Sequence, residues 1–518
     1  MYPQTLLLAC MATSVSCTPL LTDGPRLIDA VTNERVRLRC VNWYGAHQEP
    51  MVPGGLEVTS TDAIADLIVS RVGANCVRLP LSDKTVLRNP IVDPAFAPAY
   101  PNATALEVLD AVIRSLTSRG LMVILNSHTT QPGWIGSNET QQGLWHGHGL
   151  RTVDWAQALA TLAARYANNP LVVGFDLRNE IHNQEGITIT WGESNDADSD
   201  WLAAATLADR AITHANPDAL IIVSGLCRSY DLRKMVHKPG PKAALNRRKL
   251  VYTTHVYTFS WWWTYMEPYP VPEVALVLFL SALIALAVAF RCRDISRYDA
   301  LSQYDSEDAE SKPATKKTAT PCPTMDEKTV LAFAGAFTPF ACAWIAIACI
   351  KAEFAYSTGC DTIAAETEPW ITAGAIALVP SMMALALCCI TKGHGHMLLI
   401  GFLFWTCLAC LAVCILCCVA PTYWMVQEEL RRWCLDERTI PVWVGEFGAP
   451  VDSDSSAWRH LTRMLRDNDL DFAYWALNGR KWNKAGWQPE SFGLLDESYA
   501  RIQNESFTQR VFQPKKNS

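Results

Sequence analysis

The sequence predicts an α/β fold, a closed (β/α)8 barrel interrupted after its sixth strand by a four-helix transmembrane insertion. Three observations carry this. Strand-like and helix-like segments alternate from one end of the chain to the other, the signature of a parallel sheet with crossover helices. Eight strand-like runs can be counted, enough to close a barrel. An apolar block between about residues 271 and 420 separates the sixth run from the seventh.

The eight runs are RLRCVNWYG (37–45), NCVRLP (75–80), LMVILNSH (121–128), LVVGFDLRNE (171–180), ALIIVSG (219–225), LVYTTHVY (250–257), PVWVGEF (441–447) and DFAYWALNG (471–479). The intervening helices carry apolar residues at three- and four-residue spacing. One is expected over Ala105–Arg119, closed by Gly120; another over Trp155–Ala167, stopped by Asn168, Asn169 and Pro170.

The apolar block contains four runs near the length needed to cross a bilayer: Val271–Phe290, Thr329–Ile350, Trp370–Ile390 and Met397–Ala420. The linker 291–328 holds seven Lys/Arg, whereas the middle loop 351–369 has Lys351 against Glu353, Asp361, Glu366 and Glu368. By the positive-inside rule the linker is cytoplasmic. An even number of spans returns the chain to its starting side, so the expectation is a multi-pass membrane protein with its barrel on the extracellular or luminal face. There the sequons at Asn102, Asn138 and Asn504 would be usable. The expected organisation is therefore a signal segment at 1–22, a first barrel segment with strands one to six at 23–270, the insertion at 271–420, and a second barrel segment with strands seven and eight at 421–518, opening on a helix over Tyr423–Asp436.

Composition narrows the function. Of the 518 residues, 50% are hydrophobic and 18% charged, and the net charge of −7 supplies no basic face for nucleic acid. Nine of the 18 cysteines lie in the apolar runs. Cys40, Cys76, Cys227 and Cys434 fall in or near core elements and are expected as buried thiols, with a Cys40–Cys76 bridge as the alternative. No CxxC pair has the spacing and partners of a zinc site, and no metal or other cofactor is expected.

Two acidic residues stand at strand ends far apart in sequence, Glu180 and Glu446. Cleavage of a glycosidic bond needs such a pair, one carboxylic acid to protonate the leaving oxygen and one carboxylate at the anomeric carbon. Around them the sequence resembles glycoside hydrolase family 5, the cellulase family, over about residues 27–275 and 423–500. The resemblance is carried by Arg78 in VRLP, His128 in NSH, Asn179-Glu180, His255 and Tyr257 in HVY, Glu446 in VGEF and Trp475 in YWALNG.

It implies a retaining hydrolase with Glu180 as acid/base and Glu446 as nucleophile. Substrate binding then falls to Arg78, His128, Asn179, His255, Tyr257 and Trp475, the last as a sugar-stacking platform. Trp43, Trp134, Trp145, Trp191 and Trp487 are candidates to extend that platform. Ile181 departs from the family, in which many members have Pro after the catalytic Glu.

The expected substrate is a carbohydrate, either a β-glucan-type polysaccharide or a membrane-proximal glycoconjugate, and the four spans make the membrane a second partner. The competing reading is a catalytically silent membrane glycan-binding receptor on a hydrolase barrel. Loss of a catalytic carboxylate would mark it, and both are present.

Overall fold

The computed structural model describes residues 19–134, 142–184, 186–232, 234–235, 248–257, 440–483 and 485–512. Its centre is a closed barrel of parallel strands: β4 (Arg39–Asn42), β5 (Cys76–Ser82), β6 (Met122–Thr129), β7 (Val172–Asp176), β8 (Leu220–Ser224), β9 (Leu250–Tyr257), β10 (Val442–Gly448) and β11 (Asp471–Tyr474). Each pairs with the next in chain order, and β11 closes the ring on β4 through Ala473 opposite Cys40. Every residue of β5 to β11 is buried, which explains the absence of polar alternation in these runs.

Before the barrel, β1 (Leu20–Asp23), β2 (Arg26–Asp29) and β3 (Arg35–Val36) form a small antiparallel sheet that sequence patterning did not reveal. Three of the residues expected in the signal segment thus lie in β1. Leu20 and Leu27 join Leu38, Cys40, Cys76, Met122, Ile124, Leu171, Leu220, Val251 and Trp443 in an apolar cluster at the strand starts. Burial of this floor is the main source of barrel stability.

The helices follow from their caps and apolar spacing. The helix α3 (Ala105–Thr117) follows α1 (Thr61–Leu67) and the short α2 (Asp83–Arg88). It opens on a capping box, with Thr104 accepting from the Glu107 N–H and Glu107 accepting from the Thr104 N–H at 2.8 Å. It stops two residues before the predicted end, because Arg119 and Gly120 bond three residues back in a tightened last turn. The next, α4 (Thr152–Tyr166), starts three residues earlier than predicted because the Asp154 carboxylate accepts from the Arg151 N–H and caps the turn. The Asp200 side chain caps α5 (Trp201–Ala215), and α6 (Ser456–Asp467) and α7 (Glu505–Phe512) follow the last two barrel strands.

The membrane expectation is corrected. Among the described residues no helix is long and apolar enough to cross a membrane. There the longest, α4 and α5, have 15 residues each and rise about 22 Å, short of the ~30 Å hydrocarbon core. The multi-pass localisation and the membrane partnership are withdrawn. The four runs within 271–420, their linkers and the helix expected over Tyr423–Asp436 lie outside the described residues, as do Asn138, Cys434 and residues 1–18. The thiol expectation is also corrected: Cys40 and Cys76, directly paired on β4 and β5, form a disulfide, and Cys227 is disulfide-bonded as well.

Candidate active site

Polar side chains replace apolar ones toward the carboxyl ends of the strands, where such barrels hold their chemistry. Arg78, fully buried, is the hub. Its Nε donates to Asp176 Oδ2 at 2.9 Å, Nη2 to Asn179 Oδ1 at 2.8 Å, and Nη1 to Asn42 Oδ1 at 2.9 Å and Glu446 Oε1 at 2.5 Å. Buried guanidinium and carboxylates compensate one another's desolvation, and the fixed fork ties β5 to β4, β7 and β10.

Glu446 takes its position from an irregularity in β10. Its register against β9 shifts between Val444 and Glu446, with Glu446 opposite His255. Such a bulge re-aims the following side chain. Gly445 sits at the shift, where a Cβ would collide with Thr253 Oγ1. The second Glu446 oxygen, Oε2, accepts from the Tyr257 hydroxyl at 2.8 Å. Both carboxylate oxygens therefore face donors. Burial, the Glu446 charge and the hydrogen bond to it all push the Tyr257 hydroxyl well above its usual range and keep it a donor.

Glu180 lies four residues beyond the end of β7, where the backbone has left the strand and turns through a left-handed conformation at φ 45°. Its side chain is 17% exposed, and its Oε1 is 3.0 Å from His255 Nδ1. Burial raises the Glu180 carboxyl above its ordinary value against the opposing pull of Arg228 and Arg78. His255 is lowered to about 4 by burial, so the ring beside Glu180 is neutral. Glu180, His255 and Glu446 present atoms that all lie within 4.8 Å of one another. That spacing could hold a cation, but each Glu446 oxygen already meets a donor and His255 Nδ1 faces Glu180. The donor set suits a carboxylic acid beside a carboxylate better than a metal ion.

The other predicted residues surround this pair. His128 Nδ1 bonds Asn126 Oδ1 at 2.8 Å, and its ring stacks 5.7 Å from Trp475. Asn179 accepts from Arg78, while its Nδ2 is a buried donor with no partner among the described residues. Trp475 lies nearly parallel to Tyr44, with centroids 4.7 Å apart, and precedes a cis peptide bond to Ala476. Of the further tryptophans, only Trp134 joins this cluster, 5.5 Å from Tyr44. Trp43 and Trp145 are fully buried, with indole N–H groups spent on the Gly54 and Ala197 carbonyls. Trp191 is core, and Trp487 packs on Trp482 across the hairpin of β12 (Arg480–Asn483) and β13 (Gly486–Pro489).

Sequence reading missed several members. Asp176 and Asn42 anchor Arg78, and Tyr44 donates to Glu490 Oε2 at 2.5 Å behind the Trp475 stack. His47 lies against His128, 4.3 Å between centroids, with neither ring nitrogen bonded to any described residue. Asp176, which opens the run DLRNE, was the one with a signal: an acid inside an otherwise apolar strand needs a buried cation.

A family model described as Cellulase (glycosyl hydrolase family 5) matches residues 41–267. A glycosyl hydrolase 5 family protein of Chamaecyparis obtusa is 31% identical over 277 residues, covering 50% of this chain and 47% of that protein. An endoglucanase of Paenibacillus polymyxa is 32% identical over 208 residues, 40% of this chain and 49% of its own length. The chain thus spans about half the length of the curated relatives it matches. Among solved structures, the catalytic domain of the major endoglucanase from Xanthomonas campestris pv. campestris superposes with a TM-score of 0.53 at 17% identity, covering 95% of this chain and 99% of that one. That likeness bears on the fold alone. The sequence matches liken residues 41–267 to the cellulases of glycosyl hydrolase family 5.

Proposed function

We propose that the chain is a retaining β-glycosidase that hydrolyses β-glucan chains by double displacement. Glu446 serves as nucleophile and Glu180 as acid/base. The observation that carries this reading is the approach of the two carboxyl groups and His255 to within 4.8 Å. Retaining enzymes hold their carboxyls about 5–5.5 Å apart, whereas inverting ones need roughly 6.5–9.5 Å to admit a water between carboxylate and sugar.

In the first step a Glu446 oxygen attacks the anomeric carbon. The bond to the leaving oxygen breaks with its electron pair, and that oxygen takes the Glu180 proton. In the second, water attacks the same carbon, gives its proton to the Glu180 carboxylate, and Glu446 departs. Arg78 and Tyr257 hold Glu446 aimed, His255 orients Glu180, and the free Asn179 Nδ2 suits the sugar 2-hydroxyl. Trp475, its tilt fixed by the Tyr44 stack, offers an aromatic face to the apolar face of a pyranose. The β-glucan substrate rests on the relatives named as endoglucanases.

Proton NMR of cello-oligosaccharide hydrolysis tests the mechanism. The first product formed carries the β anomer at its new reducing end; an α anomer appearing first would overturn the double displacement.

A further inference from the structure

The acid/base position is made by backbone as well as side chain, and one residue outside the expected set fastens that backbone. The His182 ring approaches the carbonyl oxygen of Glu180 with Nδ1 at 2.7 Å. It closes a two-residue loop over the residue whose φ is 45°, a conformation side-chain-bearing residues rarely adopt.

Neighbouring contacts fix the ring. The His182 N–H donates to the Gly143 carbonyl at 3.0 Å, and the Arg228 N–H donates to Ile181 O at 2.8 Å. A Cβ on residue 143 would stand 2.8 Å from the His182 ring atoms Cδ2 and Nε2, so glycine there lets the ring seat. Gly143 N–H is itself held by Gln184 Oε1 at 2.6 Å, and the neighbouring Gln142 carbonyl accepts from Arg178 Nη2 at 2.9 Å. Arg178 is fully buried against Asp83, which ties the loop after β6 to the chain after β5. Since a carbonyl only accepts, the imidazole must carry its proton on Nδ1.

We propose that His182 is a positioning residue for acid catalysis. By donating Nδ1–H to the Glu180 carbonyl it holds the left-handed turn that points the Glu180 carboxyl at the leaving oxygen. This rests on the reading of Glu180 as acid/base. Glu446 and its Arg78–Tyr257 cradle belong to other strands, so loss of the His182 bond leaves the nucleophile in place.

The test compares two substrates of wild type, His182→Ala, His182→Asn and His182→Gln. Cellotetraose has a leaving group that needs protonation; 2,4-dinitrophenyl β-cellobioside has one that departs unaided. With His182→Ala, kcat/KM for cellotetraose falls ~10²-fold, the scale of general acid catalysis, while the dinitrophenyl substrate changes less than about threefold. Asparagine places an amide N–H near the Nδ1 position and recovers cellotetraose cleavage to within about tenfold of wild type; glutamine, reaching the Nε2 position, does not.

Equal losses on both substrates, no loss on either, or equal behaviour of the Asn and Gln variants would overturn the role. The Asn/Gln comparison carries the test if His182→Ala does not fold. A wild type that cleaves neither substrate would instead sink the glycosidase reading.

Discussion

Arg78 and Glu446, 368 residues apart in the chain, meet across the barrel with Nη1 to Oε1 at 2.5 Å, both side chains all but excluded from solvent. The contact pairs the second strand of the barrel with the seventh and gives the proposed nucleophile its charge partner. Removing Arg78 strands Glu446 as a buried, unpaired charge, whereas removing Glu446 leaves Arg78 paired with Asp176.

Glu446→Gln therefore lowers kcat on cello-oligosaccharides by ~10³-fold or more if the covalent step is real. The amide keeps the shape of the carboxylate, so the circular dichroism spectrum stays that of the wild type. A variant within tenfold of wild type, on the order of the spread of ordinary substitutions, would remove Glu446 as nucleophile.

Gly445→Ala tests the bulge separately from the charge. The new methyl collides with Thr253 Oγ1, so β10 must shift and carry Glu446 with it. The expected result is kcat lowered ~10²-fold, as for an ångström-scale misplacement of a catalytic group, with KM nearly unchanged. An active Gly445→Ala enzyme would show that the register shift is not needed to aim the carboxylate.

The histidines set the acid limb of stability. Burial lowers His47 to about 3, His182 and His255 to about 4, and His128 in the same direction. In the unfolded chain each takes up a proton near 6.5. The folded state therefore binds fewer protons between roughly pH 6.5 and the lowered values, and stability falls as pH drops through that window. Asp83, raised to about 7, and Asp471, raised to about 6, act in the opposite sense, losing stability as pH rises.

His47, without a hydrogen-bond partner among the described residues, is the cleanest probe. His47→Phe keeps Tm at pH 7 within a few degrees and flattens its decline between pH 6.5 and 4. An unchanged slope would mean that His47 is not buried as a neutral ring.

The Cys40–Cys76 disulfide spans a sequence separation of 36. Its replacement by a pair of alanines costs about 3–4 kcal/mol by the loop-closure relation and lowers Tm, with kcat unchanged because the bond sits in the apolar floor. Guanidinium unfolding of the two forms measures the difference.

Legibility followed the range of the interactions. The barrel and its strand order could be read because a parallel sheet writes itself as buried runs. Strand ends were overextended at 177–180 and 475–479: side-chain and loop contacts, such as Tyr44 N–H with Asn478 Oδ1, take the chain out of the ladder there. The Tyr44–Glu490 bond and the Gly445 register shift depend on residues hundreds of positions apart or on a one-residue slip, and neither leaves a periodicity. His182 is two residues from Glu180, yet its role depends on which ring nitrogen meets which carbonyl, a matter of backbone angle alone. The apolar runs that suggested the membrane insertion lie outside the described residues.

The ring closes through β11 on β4, so the last barrel strand to be synthesised completes the first barrel strand. On the ribosome β4 to β9 are finished while β10 and β11 are still unmade. At 5–20 residues per second, the stretch from Tyr257 to Val442 takes roughly ten to forty seconds to emerge. Throughout that interval two strand edges wait without partners, each a template for pairing with another nascent chain. Pairing between nascent chains is therefore expected in that window, late in translation.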